Sequence, residues 1–209
     1  MIRQPQLEFW YEFASTYSYL AAMRIETAAA EAGVGLLWRP FLLGPVFKAQ
    51  GLDTSPFAAY PAKGRYMWRD MEREAARFGL PFYRPKTFPQ NGLLAARVAL
   101  VGVEPGWTPA FTKAVYTAEF GECRDIADPA VLASLLNDLN LDAEAVLTEA
   151  QGETNKMRLR RMGDEVLSRG LFGAPTFFTE DGEMFWGNDR LEQALDWAVA
   201  QARRSDWPV

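Results

Sequence analysis

Ser15, Thr16, Tyr17 and Ser18 set a run of hydroxyl groups where one pattern of the chain stops and another begins. Upstream, Leu7, Phe9, Tyr11 and Phe13 alternate with Glu8, Trp10 and Glu12, the period of a strand. From Tyr17 the chain turns Ala-rich, with Leu20, Met23 and Ala30 at helical spacing until Gly33. A strand therefore runs directly into a helix, and Ser15 sits at the junction. A side chain there points past the strand end, beside free backbone N–H groups and the positive end of the helix dipole. Hydroxyls cannot cycle a disulfide. A helix N-terminus can nonetheless stabilise a thiolate brought by another molecule. The same serine also reads as an ordinary N-cap. The two roles are compatible, because a capping position is where an anion would be held.

The chemistry available elsewhere is narrow. The 209 residues include no histidine, which excludes Ser-His-Asp and Cys-His catalysis. It argues against a zinc site as well, so no metal is expected. The side chain best suited to proton transfer near neutral pH is also missing. If the chain is an enzyme, a cofactor or a group on the substrate supplies the reactivity. Cys123 is the sole cysteine and lies among Glu122, Arg124 and Asp125, so no disulfide forms within the chain. That fits a reducing cytosol. The start, Met1-Ile2-Arg3-Gln4-Pro5, lacks the apolar region of a signal peptide, and a cytoplasmic location is expected. A net charge of -5 with a pI near 5.0 argues against a nucleic-acid partner. No apolar run reaches membrane-spanning length.

The elements that must position Ser15 follow from the rest of the chain. Gly35 to Phe41 reads as a second strand, with Pro40 near its end. Residues 42–63, with Gly44, Pro45, Gly51, Pro56 and Pro61, read as a long irregular but packed segment. From Arg65 to about Arg169 the pattern is helical. Met67, Met71, Ala75 and Phe78 form one stripe, and Leu94, Val98 and Val101 another. Thr108-Pro109 and Asp128-Pro129 read as a cap followed by proline at the first helical position, and Asp142 as a further cap. Lys156 to Arg169 reads as a last helix before Gly170, its basic cluster (Lys156, Arg158, Arg160, Arg161, Arg169) a solvated face. Strand character returns in Pro175–Thr179 and Met184–Trp186, around a turn at 180–183. Asn188-Asp189 opens a final helix. The expected fold is α/β: a thioredoxin-like assembly of βαβ and ββα halves, 1–63 and 170–209, with an all-helical domain, 64–169, inserted between them.

Three features coincide: Ser15 at the strand-to-helix junction, Gly173-Ala174-Pro175-Thr176-Phe177 at the third strand, and Trp186-Gly187-Asn188-Asp189-Arg190-Leu191 at the last helix. With Leu43–Lys48 and Pro61–Met67, they make the chain resemble, over essentially its whole length, the 2-hydroxychromene-2-carboxylate isomerases. These belong with the kappa-class glutathione transferases in the DsbA-like group.

The resemblance implies a homodimer that uses reduced glutathione. It implies that Ser15 bonds the glutathione sulfur, that Ala174-Pro175 is cis, and that the backbone of Ala174 pairs with glutathione like an extra strand. Asn188 and Asp189 would hold the γ-glutamyl end, with Trp186 and Gly187 beside them, and Lys63 would lie near the glycyl end. Lys48 and Phe88 match positions facing a second substrate, an aromatic carboxylate. Asn188 and Asp189 also read as simple caps, Lys48 and Lys63 as solvated lysines, and Phe88 as core. The chain departs from the family at Thr16, where proline is usual, and at Gly51-Leu52-Asp53-Thr54, where relatives often carry Gly-Asn before a proline pair. The implied activity is isomerisation through reversible thiolate addition. A kappa-type transferase and a non-catalytic DsbA-like binding protein are the alternatives.

Overall fold

The computed structural model describes residues 4–205. Strand β1 (Gln6–Tyr11) leads into helix α1 (Thr16–Ala32) and strand β2 (Gly35–Pro40). Helices α2 (Leu43–Ala49), α3 (Pro56–Ala59), α4 (Pro61–Arg77), α5 (Leu93–Val101) and α6 (Thr108–Tyr116) follow. A π-helical turn (Thr117–Gly121) continues α6, before α7 (Pro129–Asp138), α8 (Ala143–Ala150) and α9 (Glu153–Ser168). The chain closes with β3 (Thr176–Thr179), β4 (Met184–Trp186), a 3-10 turn (Asn188–Arg190) and α10 (Leu191–Ser205). The sheet order is β2-β1-β3-β4. β1 runs parallel to β2, with Phe9 opposite Trp38, and antiparallel to β3, with Phe9 opposite Phe177. This is the thioredoxin-like assembly with its helical insertion.

The central place of β1 corrects the alternation expected of it. Trp10 is as fully buried as Leu7, Phe9 and Tyr11. A strand with neighbours on both edges and cover on both faces has no solvent side to spend on polar residues. On one face Phe9 stacks on Tyr11 and Phe177, with centroids 5.0 and 5.6 Å apart. On the other, Trp10 meets Phe178 edge-on, and Arg169 lies over both rings while pairing with Glu8. Arg169 is therefore not part of a solvated basic face. The strand also ends before Phe13, at Tyr11.

Residues 42–63 are not irregular. They hold α2, α3 and the start of α4, because Pro56 and Pro61 each stand at a helix's first turn, where proline's missing N–H costs nothing. Ser55 caps α3 by accepting from Phe57 N–H at 3.2 Å. Asp128 and Asp142 cap α7 and α8 as expected. Thr108 does not cap α6. It is the first residue of that helix, and its hydroxyl donates to Ala99 O at 2.7 Å. A cut between 63 and 64 falls inside α4, while one between 169 and 170 falls just past α9, beside Gly170 at φ 71°. Residues 1–3 and 206–209 of the outer halves lie outside the described residues. Among the described residues no helix is long and apolar enough to cross a membrane, and no group of His, Cys, Asp or Glu is placed to hold a metal.

Candidate active site

The chain leaves β1 through a tight turn in which Ser15 N–H donates to Glu12 O at 3.0 Å. Ser15 has extended backbone angles and caps α1, its Oγ accepting from Ser18 N–H at 3.2 Å. The same hydroxyl donates to Ala174 O at 3.1 Å, across 159 residues of sequence. Ser15 is thus a cap, and it is also joined to the loop that opens β3. The hydroxyl has one proton, and that proton points at Ala174 O.

The Ala174-Pro175 bond is cis, as the resemblance implies, and so is Phe88-Pro89. Pro175 O accepts from Gly187 N–H at 2.9 Å, so the loop before β3 carries the link on to the turn after β4. Gly187 has φ 115°, a region that suits glycine, and a Cβ there would meet Asp189 Oδ1 at 2.5 Å. Ser15, Ala174, Gly187 and the Asn188-Asp189 turn therefore form one connected ridge, built from backbone bonds and a single side chain.

Side chains along this ridge differ in how they are held. Asn188 is 5% exposed, and its Oδ1 accepts from Arg24 Nε at 3.0 Å. Asp189 is exposed and, among the described residues, pairs only with its neighbour Arg190, at 3.2 Å. Trp186 is 51% exposed and packs on Phe172, centroids 4.9 Å apart.

The remaining expected residues stand outside the bonded ridge. Lys63 is exposed in the first turn of α4, with its ammonium 5.6 Å from the Tyr60 ring. Lys48 is exposed in the last turn of α2 and forms no ion pair among the described residues. At the end of the same helix, Gln50 Nε2 reaches Phe172 O at 3.5 Å, which sets Lys48's helix beside the loop leading to Ala174. Phe88 is half-buried and meets Trp68 of α4 edge-on, centroids 4.7 Å apart.

Three groups near the ridge carry no obvious mark in the sequence. Arg24 grips the Asn188 turn. Tyr17 OH donates to Asp70 Oδ2 at 2.9 Å, tying the first turn of α1 to α4. Glu12 is 8% exposed, and burial lifts its carboxyl to about 7 against an ordinary 4.5, partly offset by the Ala14 N–H. Behind it, Glu119 in the π-helical turn is fully buried, and among the described residues neither of its oxygens has a hydrogen-bond partner. Burial, then the Glu12 charge, holds Glu119 well above the carboxylate range.

A strand-turn-helix that presents Ser15, a cis-proline loop facing it, and a sheet closed by a ββα half define a thioredoxin-type protein. The chain belongs to the DSBA-like thioredoxin domain family, whose pattern matches residues 6–197. It is 29% identical over 186 residues to a 2-hydroxychromene-2-carboxylate isomerase of Sphingobium xenophagum, covering 89% of this chain and 94% of that protein. It is 26% identical over 217 residues to glutathione S-transferase kappa 2 of Caenorhabditis elegans, covering 94% and 92%. The solved structure of a 2-hydroxychromene-2-carboxylate isomerase superposes with a TM-score of 0.84 at 25% identity, over 96% of this chain and 97% of that one.

Proposed function

We propose that this chain is a cytoplasmic, glutathione-dependent cis–trans isomerase of a 2-hydroxychromene-2-carboxylate or a related intermediate of aromatic degradation. The observation that carries the reading is the Ser15 hydroxyl, set at the N-terminus of α1 and bonded to Ala174 beside a cis-proline. Similarity to the isomerases over nearly the whole chain supports it.

The donor set fits reduced glutathione. Ser15 and the free N–H groups of α1 suit a thiolate. The Ala174 peptide suits an extended peptide backbone. Exposed Asp189 suits an ammonium, with Trp186, Gly187 and Asn188 forming the turn that presents it. Lys63 suits the glycyl carboxylate at the other end.

When bound, glutathione supplies a thiolate for reversible addition to a conjugated keto acid, the change in bond order that lets a double bond rotate. The work of the chain is to hold that sulfur anionic at neutral pH without histidine, which a hydroxyl donor and a helix N-terminus do together. Lys48 pairs with the substrate carboxylate, and Phe88, backed by Trp68, offers a ring face. The same reading includes a homodimer and the division into 1–63, 64–169 and 170–209. A kappa-type glutathione transferase would use the same glutathione groups and release a conjugate. Lys48 favours the isomerase, since a neutral electrophile has no use for a cation.

The test is the ultraviolet absorbance of bound thiolate against pH, for wild type and Ser15→Ala. The thiolate pKa should rise in the variant, and turnover of a hydroxychromene carboxylate should fall on the order of 100-fold. Superimposed titration curves would leave Ser15 as a helix cap only. Product analysis separates isomer from conjugate.

A further inference from the structure

Two members of the basic cluster expected as a solvated face, Arg158 and Arg161, line a cleft of about 200 Å³ between β2, α5 and α9. They fall three residues apart on one face of α9, with Met162 beside them. The apolar wall of the cleft is Trp38, Leu100, Val103 and Met162, and its third guanidinium is Arg39 of β2. No acidic side chain lines it among the described residues, and none of its residues belongs to the Ser15 ridge.

The three cations are poorly answered. Arg39 Nη2 reaches Glu8 at 3.4 Å, but that carboxylate also pairs with Arg169 and accepts from Trp10 Nε1 at 2.9 Å. Arg39 Nε is buried and has no hydrogen-bond partner among the described residues. Arg158 comes no nearer than 3.9 Å to Glu104, whose side chain is 86% exposed, a contact that contributes little. Arg161 is exposed and forms no ion pair among the described residues. A buried donor without an acceptor costs stability, and here it stands beside two further guanidiniums and an apolar wall.

We propose that this cleft is a second binding site, separate from the Ser15 ridge, for a small organic carboxylate with a compact apolar body. The guanidinium fork matches a carboxylate with two parallel hydrogen bonds. The cleft has the volume of about seven water molecules, which suits a single ring with its acid group. A bare inorganic anion would meet the arginines and leave Trp38 and Met162 wet. A neutral ring would cover that wall and leave Arg39 Nε unanswered. The site binds and does no chemistry.

The experiment follows the methyl signals of isotope-labelled methionines by NMR in the full chain. The Met162 signal is identified by its loss in Met162→Leu. Benzoate should shift it to saturation. Benzamide has the ring without the charge, and inorganic phosphate has the charge without the ring. Each should need on the order of tenfold more for the same shift. In Arg161→Gln, a change at an exposed position, the benzoate midpoint should rise on the order of tenfold. Lys48→Gln acts on the other proposed carboxylate site and should leave the midpoint in place. No saturable shift of Met162 overturns the proposal, as does an unchanged midpoint in Arg161→Gln. A midpoint that moves in Lys48→Gln, or phosphate or benzamide acting as well as benzoate, overturns it too.

Discussion

Arg24 holds Asn188 at two points. Its Nε donates to the side-chain Oδ1 at 3.0 Å, and Nη2 donates to the backbone carbonyl at 2.8 Å. The same guanidinium pairs with Glu192 in the first turn of α10 and keeps that carboxyl below its usual range. Arg24 thus fixes, from α1, the turn that presents Asp189. Arg24→Ala leaves a buried amide without its partner, and is expected to cost roughly 2–3 kcal/mol. The melting temperature should fall by about 4–12 °C. A melting curve within about a degree of wild type would show that the grip contributes little to the fold.

Asp189 is the anionic member of the ridge, and its ion pair with Arg190 is exposed, so removing it should hardly disturb the fold. Reduced glutathione should raise the melting temperature of wild type, as a ligand selective for the native state must. Asp189→Ala should keep the ligand-free melting point and lose most of that rise. An equal rise in the two proteins would remove Asp189 from the site.

Gly187→Ala tests the same turn through its backbone. A side chain at φ 115° is strained by about 1–3 kcal/mol, and its Cβ would push on Asp189 Oδ1. The expected outcome is a lower melting point together with weaker glutathione binding. Unchanged glutathione affinity in a destabilised variant would separate the strain from the site.

Buried carboxyls make stability depend on pH in an unusual direction. Glu12 and Glu119 have folded pKa values above the ordinary 4.5, so the native state keeps protons that the unfolded chain has lost. Their contribution is fully present below 4.5 and declines as pH rises, for Glu12 up to about 7. For Glu12 alone the loss is on the order of 3 kcal/mol. Denaturation midpoints should therefore fall between about pH 5 and about pH 8, and Glu119→Gln should flatten the fall and gain stability at the upper end. A variant with the wild-type slope would contradict the burial of an unpaired carboxyl there.

The sequence made the ridge legible where local rules and long-range structure agree. Asp128 and Asp142 cap because Asp beside a helical stripe seldom does anything else. The turn at 180–183 and the strand-to-helix junction at Ser15 are equally local. Residues 42–63 misled because proline was weighed as a breaker, although Pro56 and Pro61 sit where a helix tolerates it. Arg24 and Asn188 are 164 residues apart, and no periodicity connects them. Glu12 looked like the polar side of a strand, and nothing local to Glu119, between Ala118 and Phe120, signals that its carboxyl is buried. Burial of a carboxyl is decided by what packs over it, which here is the helical insertion.

The single proton of Ser15 has two claimants. Any ligand atom that wants it must outbid Ala174 O, a neutral amide oxygen 3.1 Å away. An ether, a thioether or a protonated thiol is a poorer acceptor than an amide and leaves the hydroxyl where it is. A full negative charge is a better one and turns it. On the proposed reading, the internal bond is a threshold filter on charge, rejecting neutral sulfur while admitting its anion. If glutathione is held as proposed, its adduct, once the sulfur is a thioether, should lose its hold on Ser15 at the moment the new bond is made.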